Sequence, residues 1–167
     1  DYIITEISDS SFEGSTSLKY VFMPLESEVK IIGKNSFAKS SLVSIVISPK
    51  VIEIGENAFM DCVSLFLADF YQDSQLKIIS ANLFANTAIF SIRIPENVTE
   101  ICENAFSNCT ILEFVHLNSN LRIIGKNAFY NTQMLSIDIP NGLIQINDGA
   151  FDSAKNLAVI NFWDPAI

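Results

Sequence analysis

Apolar positions along this chain recur on a cycle of 22 to 25 residues, longer than the rhythm of a single helix or strand. Phe12, Phe37, Phe59, Phe84, Phe106, Phe129 and Phe151 are separated by 25, 22, 25, 22, 23 and 22 residues. Five residues before each stands an isoleucine: Ile7, Ile32, Ile54, Ile79, Ile101, Ile124 and Ile146. Eight before each is another aliphatic: Ile4, Val29, Val51, Leu76, Val98, Leu121 and Leu143. Three columns kept through seven copies define seven repeats.

A second block follows each Phe with the pattern L-x-x-I-x-I. It is clearest at Leu42–Ile47, Ile89–Ile94 and Met134–Ile139, and it is completed by Leu18–Met23, Leu65–Phe70, Leu112–Leu117 and Leu157–Phe162. Its last four residues alternate in the period of a strand. Pro24, Pro95 and Pro140 follow directly and Pro49 one residue later, ending the strand because proline cannot donate a ladder hydrogen bond. The spacing also carries a super-period. Alternate phenylalanines, Phe12, Phe59, Phe106 and Phe151, are 47, 47 and 45 residues apart, so the repeats come in pairs. Asn35, Asn57, Asn82, Asn104 and Asn127 stand two before their Phe, with Ser10 and Gly149 at the ends. This column is expected to cap a short helical turn. Gly33, Gly55 and Gly125 stand four before their Phe, where a tight bend is expected.

One such repeat cannot bury its own apolar side, whereas stacked repeats lay Ile on Ile and Phe on Phe along an axis. The expected architecture is an α/β repeat solenoid. A parallel β-sheet covers one face, with short turns, 3-10 turns or strand segments on the other, and the whole chain, 1–167, forms one domain of seven repeats. No polar capping repeat is visible at either end and the first residue is not Met, so a piece cut from a longer array is expected.

The unit V-x-x-I-G-x-N-A-F-x-x-C-x-x-L-x-x-I-x-I-P resembles the BspA-like, treponemal-type leucine-rich repeat. Val51, Ile54, Gly55, Asn57, Ala58, Phe59, Cys62 and Leu65 carry it in the third repeat. In the sixth they are Leu121, Ile124, Gly125, Asn127, Ala128, Phe129, Ile137, Ile139 and Pro140. Departures are local: Ser11, Ser36 and Leu83 replace the Ala before Phe, and Ala68 and Phe70 fill the third strand. The resemblance implies a leucine-rich-repeat fold and a surface-exposed protein associated with adhesion to host cells or extracellular matrix.

A partner would meet the outward positions of the strands. The third position of L-x-x-I-x-I runs Tyr20, Ser44, Leu67, Ser91, Phe114, Ser136 and Val159, large apolar residues alternating with serine. The fifth runs Phe22, Val46, Asp69, Arg93, His116, Asp138 and Asn161, with Tyr71 and Trp163 just beyond their strands. The candidate ligand-binding residues are therefore Tyr20, Phe22, Leu67, Asp69, Tyr71, Arg93, Phe114, His116, Asp138 and Trp163, since exposed aromatic patches mark interaction surfaces. The alternative is that these side chains serve packing against loops and neighbouring strands.

Composition narrows the partner. Hydrophobic residues make up 49% of the chain and charged ones 17%, with a net charge of −9. Nucleic acid and anionic membrane are disfavoured, because binding them needs clustered Lys and Arg, and no apolar run is long enough to insert into a bilayer. The family resemblance implies a protein partner, from the matrix or a host-cell surface, with a glycan as the secondary one. Location at the cell surface or in a secreted product is expected. The alternatives are a cytoplasmic interaction scaffold and a rigid spacer.

Chemistry is not expected. Asp138, His116 and Ser91 or Ser136 have the residue types of a hydrolytic triad, but a repeat face offers neither an oxyanion hole nor a water-excluding pocket. Cys102, Cys109 and His116 are spaced by seven, yet fall in a bend, a turn and a strand rather than on one metal-binding knuckle. No cofactor or metal is expected, and Cys62 and Cys109 are expected as buried thiols. Two N-x-T sequons occur, at Asn97 and Asn108, of which Asn97 is the better placed in a loop for glycosylation.

Overall fold

The computed structural model describes residues 3–163, and of Trp163 the backbone only. The chain winds through seven coils, each with two strands. They are β1 (Glu6–Ile7) and β2 (Tyr20–Phe22), β3 (Ile31–Ile32) and β4 (Ser44–Ile47), β5 (Glu53–Ile54) and β6 (Leu67–Phe70), and β7 (Ile78–Ile79) and β8 (Ser91–Arg93). The last three coils hold β9 (Glu100–Ile101) and β10 (Phe114–His116), β11 (Ile123–Ile124) and β12 (Ser136–Pro140), and β13 (Gln145–Ile146) and β14 (Val159–Trp163).

Every pairing is parallel and column falls on column. Ile7 faces Ile32 and Ile32 faces Ile54; Ile79, Ile101, Ile124 and Ile146 follow in the same way. This first ladder is interrupted between β5 and β7, where the Ser80 hydroxyl donates to the Ile54 carbonyl. The longer strands stack as β2-β4-β6, β8-β10 and β12-β14. Across the first break Phe90 N donates to Phe66 O at 3.4 Å, and across the second Gln133 N donates to Leu112 O at 3.0 Å.

The α component of the expectation does not hold: among the described residues there is no helix. The turn around each Phe shows why. Residues two before and two after it have positive φ: Ser10, Asn35, Asn57, Asn82, Asn104, Asn127 and Gly149 on one side, Gly14, Lys39, Asp61, Asn86, Asn108, Asn131 and Ser153 on the other. A left-handed residue every four positions prevents a helical run. Asparagine fills the first column because it tolerates that conformation, and not as a helix cap. With the backbone so alternated, every second N–H points to the next coil. Asn35, Phe37 and Lys39 donate to the carbonyls of Glu56, Ala58 and Met60 at 3.1, 2.9 and 2.8 Å, while Ser36 and Ala38 between them bond within their own turn. The turn thus satisfies its backbone groups between coils, as a sheet does.

The glycine column also has another cause. Gly33, Gly55 and Gly125 are not among the residues of positive φ. A Cβ on Gly55 would lie 2.5 Å from Lys34 N, and one on Gly125 2.5 Å from the Cys102 carbonyl carbon. Close approach of neighbouring coils, rather than a bend, excludes a side chain there.

The core is a column. Phe37, Phe59, Phe84, Phe106 and Phe129 are fully buried, flanked by Ile32, Ile54, Ile79, Ile101 and Ile124. From Phe12 to Phe151 the seven rings form one unbroken stack, with centroids 5.1 to 5.5 Å apart and interplanar angles of 17° or less. Beside it runs a seam of Ser, Thr and Cys three residues after each of the first six phenylalanines. The Thr87 and Thr132 hydroxyls donate to Phe84 O and Phe129 O at 2.8 and 3.0 Å, and the Cys62 and Cys109 thiols to Phe37 O and Phe84 O, one coil back, at 3.0 and 3.1 Å. These contacts pair carbonyls in the interior that stacking alone would leave partly unsatisfied.

Candidate functional site

The long strands begin at the third position of each block, after the chain has turned its corner, and from there side chains alternate. Ile45, Ala68, Ile92 and Ile137 point into the core and are buried, while Leu67, Asp69, Arg93, Phe114, His116 and Asp138 are exposed. Parallel register sets these residues in rows. Ser91 lies opposite Phe114 and Arg93 opposite His116; Ser44 lies opposite Leu67 and Val46 opposite Asp69. Asp69, Tyr71 and Arg93 line one shallow hollow of about 380 Å³, and Arg93, His116 and Asp138 line the next, of about 240 Å³. Arg93 is common to both.

The candidate residues therefore divide. Leu67, Asp69, Tyr71, Arg93, Phe114, His116 and Asp138 gather on the third to sixth coils, with Tyr71 half-buried. Tyr20 and Phe22, 70% and 67% exposed, sit on the first coil, two coils from Leu67. Phe22 borders a wide apolar hollow of about 910 Å³ walled by Ile3, Ile4, Phe12 and Phe37. The side chain of Trp163 lies outside the described residues.

Two aromatic residues that the outward-position argument passes over belong to the central group. Phe66, 51% exposed, stacks on half-buried Phe90 with centroids 5.9 Å apart, and Phe90 meets Phe114 edge-on at 5.4 Å. Both occupy the second position of their blocks, at the corner before the strand, where strand alternation does not apply. Two phenylalanines in one column of adjacent repeats were the available signal.

Charges are used differently on the two sides of a coil. Four lysines are paired between neighbouring coils: Lys34–Glu56 at 3.4 Å, Lys39–Glu13 at 3.7 Å, Lys126–Glu103 at 4.0 Å and Lys50–Glu28 at 2.5 Å. Lys50 beside it holds the Glu28 carboxyl below its usual range. Pairs this exposed contribute little stability and favour correct register instead. The guanidinium of Arg93 takes part in no ion pair or hydrogen bond among the described residues, nor does the imidazole of His116. Asp138 accepts from Asn161 Nδ2 at 2.8 Å, and no hydrogen bond joins it to His116 or joins His116 to Ser91 or Ser136 among the described residues.

The thiols are set away from this face. Burial pushes Cys62 above its usual range, and burial pushes Cys109 up to about 11. Cys102, partly covered and beside Glu100, is likewise pushed up to about 11, by burial first and the carboxylate second. Of the two sequons, Asn97 is half-buried and donates through Nδ2 to Ser74 O at 2.8 Å, and Asn108 accepts from Asn131 Nδ2 at 3.0 Å, so both amides already serve contacts between coils.

A parallel two-ladder solenoid with a Phe stack, an asparagine turn column and an open sheet face is a leucine-rich-repeat architecture. The model of the BspA-type leucine-rich repeat region matches residues 2–102 and 77–166 in six copies, and the chain belongs to that family. Among solved structures, a leucine-rich repeat protein from Bacteroides ovatus is 27% identical with a TM-score of 0.78, over 86% of this chain and 37% of that one. The leucine-rich repeat protein of T. pallidum is 26% identical with a TM-score of 0.62, over 95% of this chain and 63% of its own. A leucine-rich cell surface protein from Faecalibacterium prausnitzii shares the fold at 21% identity and a TM-score of 0.53, over 94% of this chain and 63% of that one. The chain thus spans from 37% to 63% of the length of these proteins. No curated protein matches it.

Proposed function

We propose that this chain is a protein-binding module of a surface or secreted protein, engaging host-cell or extracellular-matrix protein through the face of its longer strands. One observation carries the reading. The Phe66–Phe90–Phe114 cluster, with Leu67 beside it, is an exposed apolar patch in the middle of the rod, where stacking against another coil is already complete. Patches of this kind mark binding surfaces, and aromatic residues with arginine dominate binding energy in them. The surface location and the adhesive role rest on the family resemblance, and a glycan remains the secondary ligand on the same face.

The test is direct binding of the chain to a panel of purified extracellular-matrix proteins by biolayer interferometry. Replacing Tyr20, Leu67 and Phe114 together by serine should abolish binding while leaving the melting temperature nearly unchanged, because all three are at least 46% exposed. Binding that survives the triple substitution, or a chain that unfolds with it, would overturn the reading.

A further inference from the structure

Along β8 the surface changes character within two residues. Ser91 lies opposite Phe114 on β10 and, by the Phe66–Phe90 contact one residue earlier, level with Leu67 on β6; its small side chain leaves a notch between these two exposed side chains, beside Phe90. Two residues on, about 6.8 Å along an extended strand, stands Arg93. It is the residue shared by both hollows of the face, opposite His116, and bonded to nothing among the described residues. Four lysines pair with carboxylates between coils, whereas Arg93, beside the Ser91 notch, pairs with none among the described residues. Asp69 and Asp138 close the row on either side.

We infer that the Ser91 notch and Arg93 together receive an extended segment of a partner protein that presents an apolar side chain and, two residues further, a carboxylate. The spacing follows from the strand period: residues i and i+2 of an extended chain face the same way about 6.8 Å apart, the separation of Ser91 from Arg93. The apolar side chain enters the notch between Leu67 and Phe114. The carboxylate takes the guanidinium fork in a bidentate, charge-assisted pair, with His116 alongside as a further donor. Asp69 on one side and Asp138, beyond His116, on the other repel an acid displaced towards either end of the row, so the carboxylate is confined to Arg93 and His116 and the register of the partner is set. In a chain of net charge −9, with Asp69 and Asp138 in the same row, the attraction for an acidic segment is local to Arg93 and His116.

This inference rests on the reading of the face as protein-binding, and its test separates the two. The probe is the capped peptide Ser-Thr-Leu-Thr-Glu-Thr-Ser, whose threonines favour an extended backbone, titrated into the isotope-labelled chain and followed by NMR. Shifts are expected at Ser91, Arg93 Nε, Phe114 and His116. Affinity should fall about tenfold or more when the glutamate is replaced by glutamine, the cost of one charge-assisted pair. It should fall comparably when the leucine is replaced by serine, or when leucine and glutamate are made adjacent. Arg93→Gln should erase the preference for glutamate over glutamine without shifting the melting temperature. Equal affinity for the glutamate and glutamine peptides, no binding at millimolar peptide, or shifts confined to Tyr20 and Phe22 would overturn the inference. Matrix-protein binding that persists in Arg93→Gln alongside such a result leaves the broader reading standing. Loss of matrix-protein binding in the wild-type chain would remove both.

Discussion

The molecule contains two aromatic ladders with nearly the same ring spacing and opposite surroundings. The inner one runs from Phe12 to Phe151 through five fully buried rings at 5.1 to 5.5 Å. The outer one, Phe66–Phe90–Phe114, spans three coils at 5.9 and 5.4 Å with its end rings half exposed. Ring spacing therefore follows from the stacking of coils and says nothing about role. Enclosure decides that: the five internal rings of the inner ladder are surrounded by Ile, Leu and Val columns, so their full apolar area leaves water on folding. The end rings of the outer ladder, Phe66 and Phe114, keep about half of theirs for something else.

The sharpest way to break the comparison is to remove one ring from each ladder. Phe106→Ala leaves a cavity in a column that cannot collapse without moving its neighbours, and should cost ~3–5 kcal/mol in denaturant unfolding. Next comes the polar seam beside the inner ladder. Below pH 9 the Cys109 thiol is protonated in both folded and unfolded chains; above it the unfolded chain ionises first, because burial raises the folded group to about 11. Stability should then fall as pH climbs from about 9 towards 11, by an upper bound of ~3 kcal/mol at ~1.4 kcal/mol per pH unit. Cys109→Ser should remove its share of that slope and leave the part due to Cys62 and Cys102, which burial also raises; a slope unchanged from the wild-type chain would show that the Cys109 thiol is not responsible.

Coil spacing is probed by Gly55→Ala. Its Cβ would lie 2.5 Å from Lys34 N, so the second and third coils must part, at ~1–3 kcal/mol. The outer ladder starts on the third coil, and its aromatic NMR signals should hardly move. A smaller effect of opposite sign is expected at Ser36, beside Phe37. Its hydroxyl is buried without a hydrogen-bond partner among the described residues, and Ser36→Ala should raise stability by ~1 kcal/mol in thermal unfolding. The smallest effect belongs to the outer ladder itself: Phe66→Ala should cost ~0.5 kcal/mol in stability while weakening any partner that uses the face. A loss as large as that of Phe106→Ala would make the outer ring core and remove the contrast.

How much of this was legible beforehand differs between the two ladders. The inner one could be read residue by residue, because burial forces the same side chain at the same step in the five internal repeats and stacking extends it to Phe12 and Phe151. The outward rows were legible by alternation wherever a regular strand exists, and Leu67, Asp69, Arg93, Phe114, His116 and Asp138 emerge on that face. Phe66 and Phe90 were not, since they sit at a corner where no period of two applies. The turn chemistry was misread for a related reason: an Asn before a hydrophobic run suits both a helix cap and a left-handed turn, and only the hydrogen-bond partner distinguishes them. With Asn35 donating to the next coil rather than into its own turn, the α component disappears.

By itself the sequence determined the period, the identity of every core column and the family, since each follows from a side chain that must recur wherever the coil passes the axis. Only the tertiary structure decided that the turns bond between coils, that the glycines clear a path for a neighbouring backbone, and that Arg93, without a partner among the described residues, lies opposite His116 on the same strand as Ser91. Those features arise between repeats, from the distance at which separate coils come to rest, and a pattern written along one chain does not contain that distance.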